Sequence, residues 1–181
     1  MKKEVYKRNL PHIQPIGATF FVTCNLFGSL PSPLLEKWKE EYEIQKAQIQ
    51  AKISDANLLQ DELDKLSKLD FKKRDSFLDT TKNGNHYFKS PILAKIVADS
   101  LHFWDSKRLE LICYCIMSNH VHTVFRLFEE QEAEGRKIYL EDIMHSIKLF
   151  SARECNKVLG KEGQFWQNES YDRMVRERNE L

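Results

Sequence analysis

The sequence predicts an α+β fold of the ferredoxin-like kind, a four-stranded antiparallel sheet in the order βαββαβ with a charged helical insertion. Three observations predict it. Ala18–Leu26 (ATFFVTCNL) is dense in β-branched and aromatic residues, as a buried strand should be. Leu109–Met117 and His120–Leu127 are two further β-rich runs flanking Ser118-Asn119, the pattern of a hairpin. Two stretches with helical spacing, Pro91–Trp104 and Tyr139–Val158, alternate with these runs.

Each element has a local cause. The first strand follows Pro15 and Gly17 and stops near Gly28. Ser32-Pro33 is the pairing expected of an N-cap and a first helical residue. From Leu34 to about Leu69 the chain is highly charged, with Leu35, Trp38, Tyr42, Ile49, Ile53, Leu59, Leu63 and Leu66 at roughly helical spacing. Ser54-Asp55-Ala56-Asn57 is a natural break in this run, so the expectation is a helical insertion over about 34–80 within one domain spanning 1–181. No heptad persists for three turns, which favours a solvated arm over a coiled coil. Asn83-Gly84-Asn85 marks a loop. Ile92, Ile96, Val97, Ser100, Leu101 and Trp104 give the next helix one apolar face. Phe128–Lys137 reads as an acidic loop. Leu140, Ile143, Met144, Ile147 and Phe150 set the inner face of the last helix, with Gly160 as its stop and Ser170–Arg176 as a final strand.

Composition narrows the function classes without choosing one. The 181 residues are 41% hydrophobic and 30% charged, which suits a soluble globular chain. No apolar run approaches the roughly 20 residues of a membrane span, and the basic N-terminus lacks a signal-peptide core, so a cytoplasmic location is expected. Four cysteines are too sparse for a disulfide scaffold. A net charge of +1 gives no global electrostatic case for nucleic acid, so any such affinity must be local.

Chemistry concentrates in Tyr114–Phe125 (YCIMSNHVHTVF). His120 and His122 flank one residue of a strand, so both side chains leave the same face. Paired imidazoles can hold a transition or borderline cation, which could polarise a phosphate oxygen. Alternating histidines on a half-exposed strand also occur with no catalytic role. A third arrangement is open: across a hairpin closed at Ser118-Asn119, Cys115 opposes His122, and Cys113, Cys115, His120 and His122 share a face as in a structural zinc site. The reading of the cysteines as small buried residues is favoured over this arrangement.

CYCIMSNHVHTVF resembles the His-hydrophobe-His motif of the REP-associated tyrosine transposases, single-tyrosine HUH enzymes of insertion-sequence type. The resemblance extends to Arg8-Asn9-Leu10-Pro11-His12 through Gly17–Thr23, to His102-Phe103-Trp104-Asp105, and to Phe165-Trp166-Gln167 through Tyr171-Asp172-Arg173 and Arg176. It implies metal-dependent nicking and strand transfer on single-stranded hairpin DNA through a phosphotyrosine, with Mg or Mn at His120 and His122. Ser118 replaces the usual proline, which should loosen the turn. The family's tyrosine lies on a helix after the last strand, whereas this sequence reaches Arg178-Asn179-Glu180-Leu181 where that helix should begin. The expectation is therefore a shortened member lacking the family's nucleophile helix, with its activity left open and Tyr171 the sole substitute nucleophile, although the family pattern places an aromatic strand residue there.

Expected DNA contacts are Asn119 together with Lys148, Arg153, Lys157, Arg173 and Arg176, the five cations being able to neutralise phosphates. Phe165 and Trp166 could stack bases or belong to the core. Partner expectations are single-stranded DNA with a hairpin, no membrane, and a possible homodimer. The rival functions are a non-catalytic hairpin-DNA-binding module and a zinc-stabilised interaction domain.

Overall fold

The computed structural model describes residues 5–7, 11–13, 15, 17–131 and 136–175, and the chain divides into two compact units, 28–85 and the remainder. The larger unit is built on strands β1 (Val5–Lys7), β2 (Pro11–Ile13), β3 (Thr19–Asn25), β4 (Leu109–Ile116), β5 (His120–Leu127), β6 (Glu130–Gln131), β7 (Arg136–Lys137) and β8 (Tyr171–Met174). The smaller unit holds helices α1 (Ser32–Lys52) and α2 (Ala56–Thr80), and the larger holds α3 (Pro91–His102) and α4 (Leu140–Leu159).

The central sheet runs β4-β5-β3-β8, all neighbours antiparallel. Numbered by its own four strands this is 2-3-1-4, the strand order of a ferredoxin-like sheet, so the predicted α+β class is the observed one. Alternation along β3 and β5 separates two faces. Phe20, Val22 and Cys24 of β3 and Val121, Phe125 and Leu127 of β5 meet Leu93, Val97 and Leu101 of α3 and Leu140, Ile143, Met144, Ile147 and Cys155 of α4 in one apolar core. Thr23, Asn25, His120 and His122 point to the opposite face. Register then decides function, because a one-residue slip would exchange the two sets.

Local differences from the sequence expectation have identifiable causes. In α3 the buried residues are Leu93, Val97, Ser100 and Leu101, while Ile92 is exposed. The i, i+4, i+7, i+8 series starts one residue later than expected, and Ile92 lies about 100° off it. Helix α1 begins at Ser32 with Pro31 at the cap position and no side-chain cap, so Ser32 is a helical residue. The acidic loop contains the paired strands β6 and β7, and the N-terminal segment forms the hairpin β1–β2; charged residues concealed the short alternations. Helix α4 ends at Gly160, whose left-handed φ of 61° suits a residue without a Cβ.

In the smaller unit, Asp55 caps α2 by accepting from Leu58 N at 2.8 Å. Leu30, Trp38 and Leu78 form a compact apolar cluster, with Phe77 edge-on to Trp38. The Lys73 ammonium and Arg74 guanidinium lie 5.0 and 5.7 Å from the Trp38 ring centroid. Lys73 also bonds Glu41 and holds its carboxyl below the usual range. Gly84 closes the unit: a Cβ there would lie 2.7 Å from the Gly28 carbonyl oxygen. Among the described residues no helix is long and apolar enough to cross a membrane.

Candidate metal centre

The centre is assembled by the β4–β5 hairpin and its neighbour β3. Met117 N donates to His120 O at 2.9 Å and closes the turn around Ser118-Asn119. Ser118 fastens this turn. Its Oγ bonds His86 Nδ1 at 2.8 Å, and its carbonyl accepts from Phe88 N at 3.1 Å. The expected loosening is not what the structure shows, because the hydroxyl gains a partner that proline would lack. His86 had no motif to reveal it, being distant in sequence from Ser118.

His120 is fully buried and its Nδ1 lies 2.7 Å from Asn119 Oδ1. An amide oxygen only accepts, so Nδ1 carries the proton and Nε2 presents its lone pair. His122 Nδ1 lies 2.9 Å from the Thr23 hydroxyl, and its ring stacks on Phe21 at 5.6 Å. The two Nε2 atoms are 3.0 Å apart. Each imidazole is thus held at Nδ1 while its Nε2 converges on the other, the orientation that outer partners impose on ligating histidines. Where Thr23 donates to Nδ1, His122 Nε2–H can hydrogen-bond His120. Where Thr23 accepts, two lone pairs face each other and a cation resolves the repulsion. Nitrogens 3.0 Å apart have the spacing of adjacent ligands on an ion with bonds of about 2.1 Å. The donor set therefore fits a divalent cation.

The cross-strand row through this point is Cys115, His122, Thr23 and Tyr171; the next is Cys113, Val124, Phe21 and Arg173. Tyr171 and Arg173 consequently share the histidine face, with Tyr171 two strands from His122. That is about 10 Å between backbones. Val124 is buried at 5% exposure, and half-buried Leu111 packs against the main core.

Other expected site residues are placed elsewhere. Asn119 is fully buried and engaged with His120, so its amide is not presented to a DNA strand. Lys148 Nζ bonds Gln167 O at 2.6 Å, Asn168 O at 3.0 Å and Ser170 Oγ at 3.2 Å. All three ammonium donors are used in pinning the approach to β8. Arg153 and Lys157 lie on the exposed side of α4, across the sheet from the histidines, and Lys157 pairs with Glu154 at 2.6 Å. Arg176 and residues 178–181 lie outside the described residues. Phe165 and Trp166 belong to the core, with Trp166 Nε1 donating to Ser151 Oγ at 3.0 Å, which excludes them as stacking platforms. A cavity of about 730 Å³ beside Met144, Lys148, Trp166 and Asp172 also lies on the helix side.

The cysteine–histidine arrangement does not assemble. Cys115 opposes His122 in register, but Cys113 and Cys115 are exposed, and among the described residues neither thiol comes within 4.8 Å of both imidazole donors. A register shift between Leu111 and Cys113 marks a bulge, which bends an edge strand away from its partner. Thr23 is the site residue that sequence reasoning missed. Its signal was a polar period of two, Thr19, Thr23 and Asn25, within an otherwise apolar strand.

No family model and no curated protein matches the chain. Solved structures do. One is a candidate transposase from Deinococcus radiodurans R1, 13% identical, with a TM-score of 0.35 over 99% of this chain and 90% of that one. Another is a REP-associated tyrosine transposase bound to a REP hairpin, 13% identical, with a TM-score of 0.42 over 99% of this chain. This chain spans 66% of that protein's length.

Proposed function

We propose that this protein is a single-strand DNA nicking and joining enzyme of transposase type, with Mg or Mn held by His120 and His122. The observation that carries the reading is the 3.0 Å convergence of two Nε2 atoms, each imidazole anchored at its far nitrogen. When bound, the cation supplies Lewis-acid polarisation of a phosphate oxygen. Asn119 and Thr23 hold the rings so that little reorganisation accompanies the reaction. Arg173, on the same face, is the described cation best placed to meet a phosphate.

Tyr171 is the candidate nucleophile on this face. Its phenolate oxygen would attack phosphorus, the P–O3′ bond would break, and the departing oxygen would take a proton to become a 3′-hydroxyl. A 3′-hydroxyl attacking the phosphotyrosine would reverse those bond changes and rejoin the strand. Hairpin DNA as the substrate follows from the sequence resemblance.

The test is nicking of labelled single-stranded hairpin DNA with Mg²⁺ or Mn²⁺ by the wild type, His120→Ala and Tyr171→Phe. Expected are cleavage with protein covalently on the DNA, and loss of both in each variant. Cleavage retained in Tyr171→Phe would move the nucleophile elsewhere. Binding without cleavage by the wild type would replace the enzyme with a hairpin-binding module.

A further inference from the structure

The corner where α3 meets the β4 edge carries an unusual surface. Phe103, Tyr114 and Ile112 are exposed at 55%, 38% and 46%. Phe103 and Tyr114 are linked through His102: its Nε2 lies 3.2 Å from the Tyr114 hydroxyl, and Phe103, next in sequence, packs edge-on to Trp104 at 4.8 Å. Two cations are laid onto these rings. Lys107 Nζ is 3.9 Å from the Phe103 centroid, and the Arg108 guanidinium is 4.7 Å from that of Trp104.

The nearby acids are engaged elsewhere. Asp99 pairs with Lys95 at 2.7 Å, Asp105 accepts from Leu111 N at 2.9 Å, and Glu110 pairs with Arg126 at 2.9 Å. Among the described residues neither Lys107 nor Arg108 has a carboxylate partner, and the buried Arg108 Nε has no hydrogen-bond partner. The turn presenting them is held by Ser106 at a φ of +61°, the sole non-glycine residue with positive φ among those described. Such backbone strain persists only where surrounding structure maintains it.

Resting on the DNA-nicking reading, we propose that this patch is a second contact for single-stranded DNA, with bases stacking on Phe103 and Tyr114 and phosphates met by Lys107 and Arg108. Exposed rings beside cations that have no carboxylate partner among the described residues match a strand with unstacked bases and a charged backbone. A duplex hides its base faces, and an acidic peptide offers nothing flat to stack. Tyr114 opposes Thr123 and so lies on the helix side of edge strand β4, whereas the adjoining Cys115 opposes His122 on the other face; a strand engaging both sites would pass around the β4 edge.

The experiment is fluorescence anisotropy of a labelled oligothymidylate in EDTA, over a salt series, with wild type, Phe103→Ala, Tyr114→Ala and Lys107→Ala. Each ring variant should bind about tenfold more weakly. Lys107→Ala should flatten the salt dependence by about 0.7 in log–log slope. Cross-linking of an iododeoxyuridine oligonucleotide to wild type should map to Phe103 or Tyr114, which keeps the proposal testable if a variant misfolds. Unchanged affinity in folded ring variants, cross-links elsewhere, or displacement of the DNA by polyglutamate would overturn it. Hairpin nicking with ring-independent binding defeats the patch alone. Ring-dependent binding without nicking in Mn²⁺ supports the patch and defeats the nicking. No binding at all defeats both.

Discussion

The two faces of the central sheet share one backbone and obey different chemistry. On one, Phe20, Val22, Phe125 and Leu127 are sealed by α3 and α4 in a continuous apolar core. On the other, Thr23, Asn25 and His120 are also buried, yet each is polar. Burial there is tolerated because partners are supplied: Asn119 for His120, Thr23 for His122, and the Leu26 carbonyl for the Asn25 amide. The contrast separates packing from purpose. A buried apolar residue is explained by the energy of leaving water, whereas two imidazoles fixed at their outer nitrogens are explained by what their inner nitrogens can share, a proton or a cation.

Substitutions should divide along the same line. The largest stability effect belongs to the helix face. Phe125→Ala should lower unfolding free energy by about 3–5 kcal/mol, read as a fall in urea midpoint, because it opens a cavity in a sealed core. A comparable loss from Arg126→Ala, on an exposed side chain, would break the comparison.

Thr23→Val is the converse case. It keeps shape and removes the hydroxyl beside His122 Nδ1, so Mn²⁺ affinity by calorimetry should fall about 10–100-fold with far less change in stability than Phe125→Ala produces. Equal Mn²⁺ affinity in variant and wild type would show that Thr23 only fills space.

The smallest effect is alkaline. Burial pushes the Cys155 thiol up to about 11 from an ordinary value near 9. Burial also raises Cys24, against the lowering effects of Lys148 and the Ser170 hydrogen bond. A thiol raised on folding keeps its proton while the unfolded chain loses its own, so stability should be level below about pH 9 and decline towards pH 11. The loss should be roughly 1–2 kcal/mol, and Cys155→Ala should remove part of that slope. A decline identical in wild type and Cys155→Ala would exclude this thiol as a cause.

Much of the fold was legible in the chain itself. The β-rich runs and the helical spacing in α3 and α4 gave the elements and their order, because side-chain periodicity records which face meets water. His120 and His122 were legible for the same reason: residues two apart on a strand must share a face. The helix break at Ser54-Asp55-Ala56-Asn57 was legible in its loop-type residues, and the structure adds the Asp55 cap. Tertiary structure alone decided the rest. It brought His86 to Ser118 and Thr23 to His122, engaged Asn119 with a histidine and Lys148 with backbone carbonyls, and set Arg153 and Lys157 across the sheet from the centre. Residue types state what a side chain can bond. Which of several partners it meets depends on strand register and helix placement, and these are fixed by the packing of the whole core.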